Sequence, residues 1–241
     1  MSQQQLREVI CRDPAIRRKS ISLMRVSTEE THGLAHERSR THRAHIARTP
    51  EEQLQAERII DAFYCNITGW ERSSVRDDPY AKRATYLLVD DLRVGIPVAA
   101  MRIIDGATSD LPSLNHLPLE MRPIDTRSLA EASRLSFIVH SENVPLHPLY
   151  GISEEQLSTA WDLIDHKVVN EMYSFALDQC IWRHKQYLLM LTRCALAKGM
   201  RHGGFPITFI GNPVEYRPGD LFQLSQMDIC KLIGLRSQIL L

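Results

Sequence analysis

Apolar and polar positions alternate through Ser128–His140 (SLAEASRLSFIVH). Leu129, Leu135, Phe137 and Val139 take the odd positions, and this period of two predicts a β-strand. Two charges interrupt the pattern. Glu131 and Arg134 are three residues apart, so they point to opposite faces of a regular strand or straddle a bulge. A carboxylate and a guanidinium in apolar surroundings need partners, because an unpaired buried charge is costly. The pair is therefore either a structural ion pair or part of a catalytic apparatus.

The same patterning orders the rest of the chain. Thr49-Pro50-Glu51-Glu52 supplies an N-cap, a proline at the first helical position and acids in the first turn. It predicts a helix to about Thr68, with an apolar stripe of Ala56, Ile60, Phe63 and Ile67, ended by Gly69 before Trp70. Residues 71–83 form a charged surface loop. Ala84–Val89 and Val94–Ile104 are strands joined by a hairpin-like connection at Asp90–Arg93, and Arg102 lies inside the second apolar run. Residues 105–127 and Ser141–Ile152 read as loops. Ser153 and Gln156 form a capping box that opens a helical pattern to about Trp182, as one bent helix or two. Tyr187–Leu191 is a strand. Thr192 caps a helix to about His202, which Gly203-Gly204 stops. Phe205–Ile210 and Leu221–Ile229 are the last strands, joined by the turn GNPVEYRPGD. The strand–helix–strand crossover in the second half requires parallel pairing and the opening hairpin antiparallel pairing, so the fold class is α/β with a mixed sheet.

Composition sharpens the boundaries. The 241 residues carry 29 Lys+Arg and 29 Asp+Glu, which gives no overall pull toward nucleic acid. Residues 1–50 hold ten Lys/Arg against five Asp/Glu, a net +5 that leaves −5 on the remainder. Residues 1–49 are polar and rich in Arg and His. They read as a partly disordered basic extension with one short helix, Gln3–Ile10, ahead of a folded domain at 50–241. His32/His36 and His42/His45 have helix-compatible metal spacing, but no carboxylate or cysteine ligand joins them, so no metal site is predicted. Arg17-Arg18-Lys19 reads as a solvated charge run. The five cysteines (11, 65, 180, 194 and 230) form no CxxC, which suits reduced thiols in the cytoplasm. No apolar run approaches the roughly 18 residues of a membrane span. A cytoplasmic protein without nucleic-acid or membrane partners is expected, and the pattern is silent on oligomeric state.

Glu131-Ala132-Ser133-Arg134, with Tyr86-Leu87 upstream and Arg102 at a strand end, resembles the acyl-homoserine-lactone synthases. These are the quorum-sensing autoinducer synthases, related to GNAT acyltransferases. Trp70 after a helix and Asp77 and Asp78 before Tyr86 continue the likeness. So does the tail: strand Tyr187–Leu191, helix Arg193–His202, Gly204 and Ile210-Gly211-Asn212-Pro213. The similarity spans about residues 55–230. Two departures stand out. Tyr64 is six residues before Trp70, as the family pattern asks, but Ile60 stands where it has Arg; Phe63 is the other candidate for the aromatic, and Arg58 is five residues before it rather than four. Asp77 fits the first acid of the family's D-x-x-D, and Tyr80 falls at the second. The long-chain N-acyl amino acid synthases share the E-x-S-R strand and the tail, and compete as the resemblance.

The resemblance implies a GNAT-like three-layer α/β/α fold with a mixed, splayed central sheet. It implies acyl transfer from acyl carrier protein to the amine of S-adenosylmethionine, a substrate rather than a cofactor, followed by lactonisation and loss of methylthioadenosine. No metal or cofactor is implied. The alternatives are another small-molecule amine as acceptor, or a catalytically silent binding or regulatory member of the fold. Glu131 would take the ammonium proton. Arg102 and Arg134 would pair with Glu131 and Asp77 and hold the substrate carboxylate. Backbone N–H groups near Phe137–His140 would receive the oxyanion. Phe63, Tyr64, Trp70, Asp77, Asp78, Ser133, Phe137 and Met190 make up the expected substrate-binding set, with Met190 suggesting an unsubstituted acyl chain. The Q/R-x-x-G-x-G/A loop of coenzyme A users is absent at SENVPLHPLYG, which favours a carrier-borne arm. Arg193, Lys198 and Arg201, with Arg183, His184, Lys185 and His202, are the candidate docking face for an acidic carrier protein.

Overall fold

Thr49 opens the first helix as its neighbours dictate. Its hydroxyl accepts from Glu52 N at 3.2 Å, and Glu52 Oε2 accepts from the amides of Thr49 (3.0 Å) and Arg48 (2.7 Å). The structure is a computed structural model describing residues 41–70, 77–108, 110–141, 145–202, 205–217 and 220–233. In it this helix, α1 (Pro50–Asp61), passes into a π-helical turn, Ala62–Ile67, rather than continuing unchanged to Thr68. Gly69, at φ 69°, turns the chain back, and Trp70 N donates to Tyr64 O at 2.8 Å.

Seven strands of the described residues form one sheet. β1 is His42–Ile46, β2 Ala84–Asp91, β3 Ile96–Asp105, β4 Leu129–Phe137, β5 Tyr187–Arg193, β6 Ile207–Arg217 and β7 Asp220–Asp228. Their order is β1-β2-β3-β4-β5-β7-β6, antiparallel throughout except for the parallel β4–β5 pair. That pair is short. It runs from Leu129 opposite Tyr187 to Ala132 opposite Met190, while β4 continues to Phe137 and β5 to Arg193, so the strands part beyond Ala132. A second irregularity lies beside the first. Ser133 faces Arg102 and Ser136 faces Ala100, so Arg134 and Leu135 together oppose Met101. This is a β-bulge, and Arg134 takes a left-handed φ of 60° in it.

Further helices are α2 (His147–Tyr150), α3 (Glu154–Leu163), α4 (His166–Trp182) and α5 (Cys194–His202). The Ser153–Gln156 capping box is present. The long pattern behind it is two helices, because Ile164 is extended and the Asp165 carboxylate caps α4 by accepting from Lys167 N at 2.8 Å. Helices cover both faces of the sheet. Arg183, just past α4, donates to Thr85 Oγ1 on one face of β2, and Tyr86, on the opposite face, lines a cleft with side chains of α1. The three-layer α/β/α architecture with a mixed, splayed sheet is as expected.

Four expectations change. Residues 42–46, placed in the N-terminal extension, form the sheet's edge strand. His42 and His45 face opposite sides of it and engage Asp91 (3.6 Å) and Asp90 (3.2 Å). Thr192 does not cap a helix: β5 runs through Arg193, its register with β7 unbroken. Most of GNPVEYRPGD is strand, because β6 accommodates Gly211-Asn212-Pro213 as a register shift between Ile210 and Val214. Residues 105–127 are a cover rather than an open loop. They carry 3₁₀ turns at Pro112–His116 and Leu119–Met121, and Leu111, Leu114 and Leu117 pack on Ile104, Leu129, Leu189 and Leu224. The helix Gln3–Ile10, His32/His36, residues 71–76 and the Gly203-Gly204 stop lie outside the described residues. Among the described residues no helix is long and apolar enough to cross a membrane.

Candidate active site

The β3–β4 register builds the site. Arg102 sits opposite Ser133 and Ile104 opposite Glu131, so Glu131, Ser133 and Arg102 share one face of the sheet. Glu131 lies one residue before β4 and β5 part. Arg102 is 4% exposed; its Nε donates to Ser133 Oγ (3.0 Å) and its Nη1 to Asp78 Oδ2 (2.6 Å). Arg134 Nη2 donates to the same Asp78 oxygen at 3.1 Å. The bulge turns this side chain toward Asp78 from the neighbouring strand. Asp78 Oδ1 in turn accepts from Tyr80 N at 2.9 Å, which fixes the carboxylate on its own backbone.

Burial pushes the Asp78 carboxyl upward, but the charge and hydrogen bond of Arg102, with smaller help from Tyr80 N and Arg134, hold it below the usual carboxylate range. Glu131 goes the other way. It is 2% exposed, and burial raises its pKa despite the opposing hydrogen bonds of Ser113 and the charge of Arg102.

The arginines therefore meet at Asp78, and not at Asp77 and Glu131 as expected. Asp77 is exposed. Glu131 Oε2 instead accepts two hydrogen bonds from Ser113, from its N at 2.9 Å and its Oγ at 2.6 Å. Ser113 was not anticipated; the sequence signal available was the i, i+3, i+6 spacing of Leu111, Leu114 and Leu117, which ties its turn to the sheet.

Aromatic side chains wall the lattice. The Arg134 guanidinium lies 4.7 Å from the Trp70 ring centroid and 5.0 Å from that of Tyr64, and the two rings are edge-on at 5.1 Å. Phe63 bridges from Tyr64 (5.7 Å) to Phe137 (6.0 Å) on the diverging part of β4. Burial raises the Tyr64 pKa against the charges of Arg134, Arg102 and Arg193, which places Arg193 near this aromatic group. A cleft of about 320 Å³ opens between α1 and the lattice. Arg102, Arg134, Arg58 and Asp78 line it, with Glu57 and Asp61 on the α1 side, so it offers both signs of charge.

Other expected residues are placed differently. Met190 pairs with Ala132, on the face opposite Glu131, and is fully buried in the main core. Two of the N–H groups expected to receive an oxyanion are occupied: Ile138 N donates to Val98 O (3.0 Å) and Val139 N to Tyr150 Oη (2.9 Å). Lys198 and Arg201 are exposed on α5, with Arg201 5.4 Å above the Phe209 ring. Lys185 is buried on Asp105 and Arg127 O, and Arg183 is bonded to Thr85, so both serve the fold.

No protein-family model matches the sequence, and no curated protein matches it. Solved structures do. The AHL synthase LasI superposes with a TM-score of 0.57 at 14% identity, over 78% of this chain and 90% of that one. The chain has the fold of the acyl-homoserine-lactone synthases. The CoA-dependent acyl-homoserine lactone synthase BjaI, solved with SAM and isopentyl-CoA, gives 0.55 at 16% identity over 78% and 83%. FeeM, an N-acyl amino acid synthase from uncultured soil microbes, gives 0.50 at 16% identity over 78% and 91%. The same fold thus holds synthases described with two kinds of acylated product.

Proposed function

We propose that the protein is an N-acyltransferase that makes acyl-homoserine lactones from a carrier-borne acyl thioester and S-adenosylmethionine. The observation that carries this is Glu131, a buried carboxylate of raised pKa, set beside the Arg102–Asp78–Arg134 lattice where β4 and β5 part. Burial moves the Glu131 pKa toward the operating pH, the range in which a general base works best. Glu131 takes the proton of the acceptor ammonium, directly or through one water. The free amine attacks the thioester carbon, a C–N bond forms, the C–S bond breaks and the thiol leaves with a proton. The acceptor carboxylate then displaces methylthioadenosine from its own γ-carbon, a step that needs positioning above all. Arg102 and Arg134 lie in the cleft wall to meet that carboxylate, and Glu57 and Asp61 to meet the cationic part of the molecule. Lys198 and Arg201 offer an acidic carrier protein its docking charges.

A second reading is an N-acyl amino acid synthase. Ile60 supports it: it lines the cleft where the lactone synthases carry an arginine. The two readings part on products. Purified protein is incubated with acyl carrier protein and CoA thioesters, S-adenosylmethionine and free amino acids, and the products are read by mass spectrometry. A lactone with methylthioadenosine is expected; an N-acyl amino acid without methylthioadenosine replaces the first reading with the second.

A further inference from the structure

The loop between β3 and β4 reaches into the site through one side chain. Ser113 is 1% exposed and sits in the first turn of Pro112–His116, bracketed by Leu111 and Leu114, whose side chains are anchored among Ile104, Leu129, Leu189 and Leu224. Both of its donors go to the same atom, Glu131 Oε2. The charged groups that act on Glu131 are Arg102 on β3 and Asp78 ahead of β2; the opposing residue on β5 is the apolar Leu189. Arg102 hydrogen-bonds Asp78 and Ser133, and Arg134 hydrogen-bonds Asp78, and none of these bonds reaches Glu131. Among the described residues, the hydrogen bonds to the Glu131 carboxylate come from Ser113 alone.

We infer that Ser113 is the positioning residue of the general base: its hydroxyl and backbone N–H clamp Oε2, favour the ionised carboxylate and leave Oε1 to take the proton of the acceptor amine. This rests on the role proposed for Glu131. The physical reason is that donors aimed at a carboxylate stabilise its charged form over its neutral one. The backbone N–H survives any substitution, so the hydroxyl is the part that can be removed. A hydrogen bond to a charged group of this kind corresponds to a shift of about one to two pH units.

The test uses the full chain and two readouts. In protein labelled with carboxyl-¹³C glutamate, the Glu131 resonance is assigned by its loss in Glu131→Gln and titrated in the wild type and in Ser113→Ala. The pH profile of kcat/KM for acyl transfer is measured alongside. Ser113→Ala is expected to titrate about one to two units higher, and the acid limb of its profile to move up by the same amount. An unchanged Glu131 titration in Ser113→Ala overturns the inference. Should Ser113→Ala not fold, Ser113→Cys, nearly isosteric and a weaker donor, is expected to shift in the same direction, and no shift there overturns it equally. The titration decides about Ser113 even if no donor and acceptor give product, a result that would reject the proposed reaction instead. A dead Glu131→Gln beside an unshifted Ser113→Ala keeps the base and removes Ser113 from the mechanism.

Discussion

Asp78 joins two arginines through one oxygen, and all three side chains are largely buried. Its side chain is 7% exposed and that of Arg102 5%, so removing the charge leaves two guanidinium groups facing a neutral amide. Asp78→Asn should lower stability by about 3–5 kcal/mol in denaturant melts, whereas Asp77→Asn, exposed, should stay within about 0.5 kcal/mol. Equal losses would return the lattice to Asp77. The Asp78 pKa is lowered in the fold, so its contribution is present above the ordinary carboxylate pKa and disappears as the pH falls through the folded value. Arg134 adds a backbone effect, since at φ 60° an L residue is strained and glycine is not. Arg134→Gly and Arg134→Ala lose the same side chain, yet the glycine variant should be the more stable by about 0.5–1 kcal/mol. An alanine variant of equal or greater stability would mean that the bulge stores no strain. Glu131, Arg134, Arg102 and Ser133 were legible in the sequence because polar side chains inside an alternating apolar strand must find partners. The choice of Asp78 over Asp77 was not, since it depends on the turn that bonds Asp78 to Tyr80 N. Nor was Ser113, a small residue in a Pro- and Asp-rich stretch whose partner is eighteen positions away.

At the scale of elements, the capped helices and the strands β2 to β5 followed from local pattern, because each carries its own start signal or alternation. β1 and β6 did not. The strand β1 reads HRAHI, and its histidines are acceptable at the sheet edge only because β2 brings Asp90 and Asp91 beside them. β6 contains Gly-Asn-Pro, which in isolation predicts a turn. The two histidines make β1 sensitive to pH in opposite senses. Burial lowers the His42 pKa in spite of Asp91, so the stability it carries is present above pH 6.5 and is lost as the pH falls toward the folded value. The hydrogen bond to Asp90 raises the His45 pKa, so its contribution is present below pH 6.5 and is lost as the pH rises through the folded value. Thermal melts from about pH 5 to 8 should therefore fall more steeply toward acid in His45→Gln than in the wild type. In His42→Gln they should fall toward the alkaline side. Parallel pH slopes in all three proteins would contradict this assignment of the two rings.

At the scale of the whole molecule, β4 and β5 part beyond Ala132, a cleft of mixed charge lies between α1 and the Arg102–Asp78–Arg134 lattice, and α5, with Lys198 and Arg201 exposed, follows β5. The fold is that of synthases acting on acyl groups, and the residues lining the cleft belong to this chain's own sequence rather than to the fold. If an acyl carrier protein docks on α5, Lys198→Glu with Arg201→Glu should raise KM for the carrier-borne donor about tenfold or more at low salt, with little change for the same acyl group on CoA. Equal effects on both donors would place the docking face elsewhere.

The central claim is that Glu131 is the base of an acyl transfer and not a strut of the sheet. Gln at this position keeps an oxygen for Ser113 and removes only the charge. Since the fold raises the Glu131 pKa, ionising it costs stability as the pH rises, and Glu131→Gln should melt at or above the wild-type temperature at neutral pH. The direct measurement is single-turnover acyl transfer from a thioester donor to the acceptor amine, wild type against Glu131→Gln, with a melt of each sample. The expected result is N-acylated product from the wild type and a loss of about a hundredfold or more in a well-folded Glu131→Gln. A variant that transfers acyl groups at the wild-type rate, or one that is inactive because it unfolds, would contradict the claim.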